Sequence, residues 1–372
     1  MQANLKLGKI FGIPIGLNAS WFIIFGLFTF SLATGYFPAQ NPDFPFLGNI
    51  FLGFFASLLL FASVLAHELG HAYIAIRNKI PVRQINLFLL GGVAQIEQEP
   101  KSAGAEFRIA IAGPIVSIIL ALIFGGLSLL DQVAPAIATP SAYLARANLY
   151  LTAFNLLPGF PLDGGRVLRA IIWKYTADQQ KATRIATISG QAVAYGLIGF
   201  GVFTAIVQRN IVGGMWLGFI GLYLRNAAVA TQRHSKMEQS LQGITVSQVM
   251  NKNIYFVPNL ISLQQLVDEY ILSQGKKQFI VTNINYVLGY LTANNVYKIA
   301  SQKWPFITTQ QAMIPIEQLS GVRPDMQLTE ALESVQNSDL DSIPVIDNNT
   351  IVGIISQEDV FRYLRLRTQF ST

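Results

Sequence analysis

The stretch Phe44-Pro-Phe-Leu-Gly-Asn-Ile-Phe-Leu-Gly-Phe-Phe-Ala-Ser-Leu-Leu-Leu-Phe-Ala-Ser-Val-Leu-Ala66 carries no charge and leads directly into His67-Glu68-Leu69-Gly70-His71. A helix needs about 20 mainly apolar residues to cross the hydrocarbon core of a bilayer. Other charge-free runs of similar length are Ile10–Pro42, Ile109–Leu130 and Ile185–Gln208. Two more runs, Pro140–Leu162 and Asn210–Ala230, each contain one Arg. The sequence therefore predicts an α-helical polytopic membrane domain with about six transmembrane helices.

The composition excludes several classes of protein. Of the 372 residues, 52% are hydrophobic and 12% are charged, whereas about 25% are charged in a typical globular protein. Such a chain is neither an ordinary soluble enzyme nor disordered. It has no Cys, which excludes disulfides, iron–sulfur clusters and thiol nucleophiles. A metal would have to be held by His, Asp or Glu, and there are only 3 His.

The net charge of +6 divides into +9 for residues 1–236 and −3 for residues 237–372. The basic residues are scattered between apolar runs and do not form the dense patch of a nucleic-acid-binding protein, so we expect no nucleic-acid partner. With both termini in the cytoplasm, 15 basic residues of the first part fall on the cytoplasmic side and two, Arg146 and Arg209, on the other. By the positive-inside rule, we expect a multi-pass protein of a prokaryotic inner membrane. An organelle membrane remains an alternative.

The C-terminal part is predicted to be a duplicated α/β unit. Phe279-Ile-Val, Gly289-Tyr-Leu-Thr292 and Asn295 recur 64 residues later as Ile343-Pro-Val, Gly353-Ile-Ile-Ser356 and Asp359. A constant offset of this kind indicates an internal repeat. We expect a membrane domain over residues 1–230, a linker over 231–243, a first repeat over 244–305 and a second over 306–370.

The segment His67–His71 points to metal chemistry. Residues four apart share one face of a helix, so both imidazoles can reach one metal ion, with Glu68 beside a bound water. Zinc accepts His nitrogen and keeps an open position in catalytic sites. The best candidate for a third ligand is Asp163 in Asn155-Leu-Leu-Pro-Gly-Phe-Pro-Leu-Asp-Gly-Gly-Arg166. A plain helix N-cap is the alternative reading for Asp163.

These two segments together resemble the site-2 protease family of intramembrane zinc metalloproteases, peptidase M50. The resemblance covers roughly residues 1–230. It implies that His67, His71 and Asp163 bind Zn²⁺, that Glu68 is the catalytic base and that Asn155 steadies the substrate or the oxyanion. Two positions depart from the family pattern: Asn18 stands where His is frequent, and Ser117 follows Gly113-Pro114 where Asn is frequent.

The segment Gln84–Glu97 reads as two short apolar strands around Gly91-Gly92, which is typical of a β-hairpin. The resemblance implies that this hairpin is membrane-associated. An intramembrane substrate must unwind before its peptide bond can be cut, and a strand edge can bind the extended chain by strand addition. A hairpin that only packs against its neighbours is the alternative.

The duplicated unit resembles a pair of cytoplasmic CBS repeats. The resemblance implies that Ser356 and Asp359 contact the phosphate and ribose of an adenine nucleotide (AMP, ADP or ATP). In the first copy Thr292 is matched, but Asn295 stands where Asp is usual. Repeats that serve only for folding or for homodimer contacts are the alternative.

Three functions compete. The first is an intramembrane zinc endopeptidase in the lipid bilayer that cleaves transmembrane segments of membrane-protein substrates, modulated by nucleotide. The second is a CBS-regulated channel or transporter, and the third a catalytically inactive scaffold. The first accounts for His67, Glu68, His71 and Asp163 together, which the second does not.

Overall fold

The computed structural model describes residues 5–40, 42, 44–88, 91–96, 98–241, 243–284, 286–319, 321–337, 342–347 and 350–370. The chain divides into two compact units, Met1–Ser235 and Lys236–Thr372.

The first unit consists of long helices and one four-stranded sheet. Its helices are α1 (Ala19–Ser31), which continues through a π-helical turn (Leu32–Tyr36) into α2 (Phe37–Gln40), then α3 (Phe46–Arg77), α4 (Ala103–Ser128), α5 (Pro135–Asn155), α6 (Asp163–Thr176), α7 (Gln179–Ile206) and α8 (Ile211–Leu241). Its strands are β1 (Leu5–Ile10), β2 (Ile13–Leu17), β3 (Val82–Phe88) and β4 (Gly91–Ile96).

Within the described residues, 4 helices are long and apolar enough to cross a membrane: Ala19–Gln40, α3, α4 and α7. Large apolar side chains on their outer faces are exposed, among them Phe51 (64%) and Leu122 (71%). Such faces suit contact with lipid rather than water. The other two predicted spans coincide with α5 and α8, which are not among these four, so the count of six stays a prediction.

The sheet has the order β1-β2-β3-β4. β2 is parallel to β3, and the other neighbours are antiparallel. Ile13, Ile15 and Ile85 pack with Ala72 of α3, which holds the sheet against the helix that carries His67 and His71. The predicted hairpin is confirmed as β3 and β4, while residues 89–90 and Glu97 lie outside the described residues.

The second unit shows the predicted duplication in its strands. Its strands are β5 (Phe256–Pro258), β6 (Gln278–Asn283), β7 (Tyr286–Thr292), β8 (Ile314–Pro315), β9 (Ser342–Asp347) and β10 (Thr350–Ser356). Its α-helices are α9 (Val246–Val249), α10 (Leu263–Leu266), α11 (Ala293–Tyr297), α12 (Thr309–Ala312), α13 (Leu328–Asn337) and α14 (Gln357–Phe370). The antiparallel pair β6–β7 recurs as β9–β10 with the same 64-residue offset.

The two repeats exchange their leading segments. β8, which precedes the second repeat's own strands, pairs with β7 of the first. In the reciprocal position, Asn251 bridges to Ile354 in β10. Leu241 and Val246 accordingly lie in the core of the second repeat, with Val345 and Ile355. The predicted boundary between residues 305 and 306 therefore separates segments of sequence that are interleaved in space.

The predicted linker 231–243 is mostly helical. α8 runs to Leu241, because residues 231–241 contain neither Gly nor Pro, and Gly243 is the first such residue. Gly243 has a φ of 76°, a conformation that suits glycine and ends the helix.

Candidate metal centre and nucleotide cleft

Helix α3 presents His67 and His71 on one face. Both residues are buried, with 2% and 5% exposure. Their Nε2 atoms are 3.2 Å apart. The two Nε2 atoms therefore approach the same point beside α3, as the four-residue spacing predicts.

Asp163 reaches the same point from the start of α6. Its Oδ2 lies 3.1 Å from Nε2 of His67 and 3.1 Å from Nε2 of His71. The preceding loop is fastened to α7, because the Phe160 amide donates to the Ala186 carbonyl at 3.1 Å. Gly190 permits this approach: a Cβ there would come within 2.8 Å of the Phe160 nitrogen.

The three ligand atoms have the spacing of a zinc site. With Zn–N and Zn–O distances near 2.1 Å, neighbouring ligands of a tetrahedral zinc lie about 3.4 Å apart. The observed separations of 3.1, 3.1 and 3.2 Å are close to this value. Among the described residues, His67, His71 and Asp163 form the one group of three or more His, Cys, Asp or Glu residues that could hold a metal.

The opposite ring nitrogens settle how the imidazoles can bind. Nδ1 of His71 lies 2.7 Å from the Ile109 carbonyl of α4. A carbonyl only accepts, so Nδ1 carries a proton, and whenever the ring is neutral its Nε2 keeps the lone pair that a metal needs. Nδ1 of His67 lies 2.9 Å from Oγ of Ser117, which can play the same part. Ser117 therefore contributes to the centre although it departs from the family's Asn.

Asp163 has the charge that a metal ligand needs. Burial alone would raise the pKa of its carboxyl, but the adjacent imidazoles of His67 and His71 together outweigh burial and hold that pKa below its usual range. The carboxyl is therefore ionised at neutral pH. Three electron-pair donors that converge at about 3 Å repel one another unless a cation or proton lies among them.

Glu68 is fixed beside this centre by strand β4. Its Oε2 accepts a hydrogen bond from the Ala94 amide at 3.1 Å. The strand passes so close that a Cβ on Gly92 would lie 2.6 Å from Cγ of Glu68. Glu68 and Asn155 line the same cavity of about 210 Å³ as His67, His71 and Asp163.

Asn18, which stands where the family frequently has His, contacts the start of α1. Its side chain caps α1 by accepting from the Ser20 amide at 3.0 Å, and it is not among the residues that line this cavity.

A second cavity, of about 330 Å³, lies within the C-terminal unit. The second repeat contributes Ser356 and Asp359, and the first contributes Tyr255, Lys276 and Lys277. Asp359 is buried (6% exposed); its Oδ2 accepts from the Ser356 hydroxyl at 2.6 Å, and its Oδ1 accepts from Arg362. A buried carboxylate and two lysines thus line the same cavity.

Thr292 has a local role in the first repeat. Its hydroxyl caps α11 by accepting from the Asn295 amide at 3.2 Å. The positions equivalent to Lys276 and Lys277 are Leu340 and Asp341, which lie outside the described residues. The structure therefore brings Ser356 and Asp359 to a cavity, whereas Thr292 is not among the residues that line it.

Sequence reasoning missed three partners of the metal centre. Two are backbone groups, the Ile109 carbonyl and the Ala94 amide. A pattern of side chains does not predict which backbone groups will contact a distant residue. The third is Ser117, which the sequence singles out only as a departure from the family's Asn. Its place after Gly113-Pro114 is the signal that could have led to it.

Family models match both units. A model described as "Peptidase family M50" matches residues 55–134 and 131–197, and one described as "CBS domain" matches residues 314–366. A Synechocystis sp. protein with the name "Putative zinc metalloprotease sll0528" is 32% identical over 98% of this chain and 96% of its own length. This chain belongs to peptidase family M50.

Two further proteins are similar to this chain. The Methanocaldococcus jannaschii protein "Zinc metalloprotease MJ0392" is 29% identical to this M50 chain over 98% of it and 97% of its own length. The solved structure titled "Site-2 Protease from Methanocaldococcus jannaschii" is 32% identical, with a TM-score of 0.41, over 62% of this chain and 95% of that one.

Proposed function

We propose that this chain is an intramembrane zinc endopeptidase. The observation that carries the proposal is the convergence of Nε2 of His67, Nε2 of His71 and Oδ2 of Asp163 within 3.2 Å, beside Glu68 and among apolar helices. A channel or a transporter has no need of this donor set. A catalytically inactive scaffold has no need of the Glu68 carboxylate beside that donor set.

His67, His71 and Asp163 would hold the metal, since they offer two neutral nitrogens and one anionic oxygen. Zinc bound there supplies a Lewis acid that makes water a usable nucleophile near neutral pH. Glu68 accepts a proton from the water whose oxygen bonds to the scissile carbonyl carbon. It returns that proton to the amide nitrogen as the carbon–nitrogen bond breaks. The Ala94 amide occupies Oε2 of Glu68, which leaves Oε1 for this proton.

Asn155 is assigned a role in holding the substrate. It lines the same cavity as Glu68, and its side-chain amide can donate a hydrogen bond to the carbonyl oxygen on which negative charge develops.

The substrate class follows from the sheet and the membrane. β4 is an edge strand, and its residues Gly92, Val93, Ala94 and Ile96 line the cavity. An unwound transmembrane segment can add to this edge as an extended strand, which brings its peptide bonds past Glu68. The substrates are therefore transmembrane segments of membrane proteins.

The C-terminal unit is assigned to adenine nucleotide binding, in one strong site. Lys276 and Lys277 supply positive charge for phosphate, and Asp359 supplies a carboxylate for the ribose hydroxyls. The equivalent positions of the other copy hold Leu340, Asp341 and Asn295, a set without a basic residue. Nucleotide would alter proteolysis only if it binds two arrangements of the unit with different affinity.

The test measures zinc content and peptide cleavage in parallel on purified full-length protein. We expect one zinc per chain, and Glu68→Gln should retain that zinc but lose cleavage by several orders of magnitude. Asp131→Asn, which neutralises an exposed carboxylate of the same unit, serves as the matched control and should cleave like the wild type. Cleavage by Glu68→Gln at the wild-type rate would refute the mechanism.

A further inference from the structure

A cluster of three charged side chains, two of them buried and the third, Glu99, 55% exposed, lies outside the proposed metal centre. Arg169 of α6 and Glu106 of α4 have side chains that are 6% and 2% exposed. Nε of Arg169 donates to Oε1 of Glu106, and its NH1 group lies 3.3 Å from Oε1 of Glu99. Buried charges are costly unless they are paired, and in membrane proteins ionisable residues usually serve function.

Carboxylates are scarce in this part of the chain, and they are concentrated here. Residues 1–236 contain eight Asp and Glu. Two of the eight, Glu68 and Asp163, belong to the proposed centre, and two more, Glu99 and Glu106, contact Arg169. Half of the acidic groups are thus used within two neighbouring clusters.

Each acidic partner of Arg169 stands close in sequence to a group that holds the centre. Glu106 lies one turn before Ile109, whose carbonyl bonds Nδ1 of His71. Glu99 follows β4, whose Ala94 amide holds Glu68. Glu99 also accepts a hydrogen bond from Gln179 at the start of α7, at 2.7 Å.

Arg169 is itself tied to the third ligand. It stands six residues after Asp163 in the same helix, about 9 Å along the axis. Its guanidinium carbon lies 5.3 Å from the ring centroid of Phe160, in the loop that leads to Asp163. A guanidinium is a planar fork with several donors, so one side chain can fix two carboxylates and a ring face at once.

Glu106 depends on this contact. Among the described residues its Oε2 has no hydrogen-bond partner, so Arg169 supplies the charge that compensates the buried carboxylate. The pair therefore joins α4 to α6 through a directional hydrogen bond between two named side chains.

We propose that Arg169 is a positioning residue of the metal centre, which holds the Asp163 carboxylate in register with His67 and His71 by bridging Glu106 and Glu99. The proposal rests on the proposed function, in that these three residues hold zinc.

The test compares full-length wild type with Arg169→Lys, Arg169→Met and the double variant Arg169→Met/Glu106→Leu. Lys174→Met, which removes an exposed cation from the same helix, is the matched control. Zinc dissociation constants come from competition with a chelator. Thermal unfolding reports the fold, and kcat and KM are measured on a peptide substrate.

We expect Arg169→Met to weaken zinc binding by about 10–100-fold, the usual loss when a group that orients a ligand is removed. kcat should fall while KM stays within about twofold. Arg169→Lys should recover part of the affinity, because it keeps the charge but not the fork. The double variant should regain thermal stability, since no lone charge remains buried, but it should not regain zinc affinity.

A double variant that recovers both stability and zinc affinity would reduce the pair to a packing role and overturn the proposal. So would wild-type zinc affinity in Arg169→Met. If Arg169→Met does not fold, the lysine and double variants decide the question by the same criteria. Wild-type protein that takes up no zinc would overturn the proposed function and the positioning role with it, whereas a zinc-loaded wild type with an indifferent Arg169 refutes the positioning role alone.

Discussion

Removal of the Ser117 hydroxyl should weaken zinc binding without disturbing the fold. Ser117 is fully buried (0% exposed), and its Oγ lies 2.9 Å from Nδ1 of His67. In Ser117→Ala, Nδ1–H of His67 is left in an apolar setting, and the ring is free to rotate or to change tautomer.

The magnitude follows from the burial of that contact. A buried donor left without a partner costs about 1–3 kcal/mol, which corresponds to about 5–150-fold in a dissociation constant. His71 retains its bond to the Ile109 carbonyl, which no side-chain substitution removes. We therefore expect Ser117→Ala to bind zinc about 10–100-fold more weakly and to regain most of its cleavage at saturating zinc.

The chain offers a close control. Ser57 is also 0% exposed and also lies in an apolar helix, but among the described residues its Oγ has no hydrogen-bond partner. Ser57→Ala should leave zinc affinity unchanged and the protein at least as stable. Chelator competition on the three proteins decides the matter: equal affinities of Ser117→Ala and wild type, within about twofold, would refute the assigned contact.

The remaining predictions concern the edge strand, the orientation in the membrane and the nucleotide cleft. Ala94→Pro removes the amide that holds Glu68, so this variant should retain zinc and lose most of its cleavage activity. Ala94→Gly keeps the amide and should lose far less activity. Equal cleavage rates for the two variants would contradict the contact between Ala94 and Glu68. In this Cys-free chain, Cys introduced at Gln40 or Val133 should react with an impermeant thiol reagent from outside, and Cys at Arg233 or at position 236 should not; the opposite pattern would reverse the proposed topology, which has both termini inside. Calorimetry with AMP, ADP and ATP should show tighter binding to wild type than to Asp359→Ala. Asn295→Ala, the matched change in the other copy, should bind nearly as tightly as wild type. If the cleavage rate stays constant while nucleotide binds, the repeats have only a structural role.

Much of the site could be predicted from the sequence because its side chains carry their own signal. The spacing of His67 and His71 fixes a shared helix face, and Asp163 stands out as an acidic residue that ends an apolar run. The duplication in the C-terminal part could also be predicted, because the 64-residue offset between its sequence segments recurs between the strand pairs β6–β7 and β9–β10.

The remainder depends on contacts between distant segments. β1 and β2 join the hairpin through the parallel pairing of β2 with β3, which extends from Ile15 with Ile85 to Leu17 with Leu87. β2 lies inside the charge-free run that begins at Ile10, so the run alone does not separate this strand from the helix that follows. Arg169 was counted with the basic residues of a cytoplasmic loop, because the positive-inside rule concerns the membrane side and does not consider partners. The exchange of leading segments between the CBS repeats likewise depends on packing between the repeats. The residue pattern within one repeat does not predict it.

That exchange has a consequence for the order of events during synthesis. Val246 and Val249 share a core with Val345 and Val360, so the residues just after α8 have all their core partners only when the last helix has been made. Gly190, on which the loop before Asp163 rests, precedes Val360 by 170 residues. At about 5–20 residues per second, the ribosome takes roughly 10–30 s to cover that distance. Each new molecule therefore passes through an interval in which the segments of the proposed metal centre have all been made while the C-terminal unit is still incomplete.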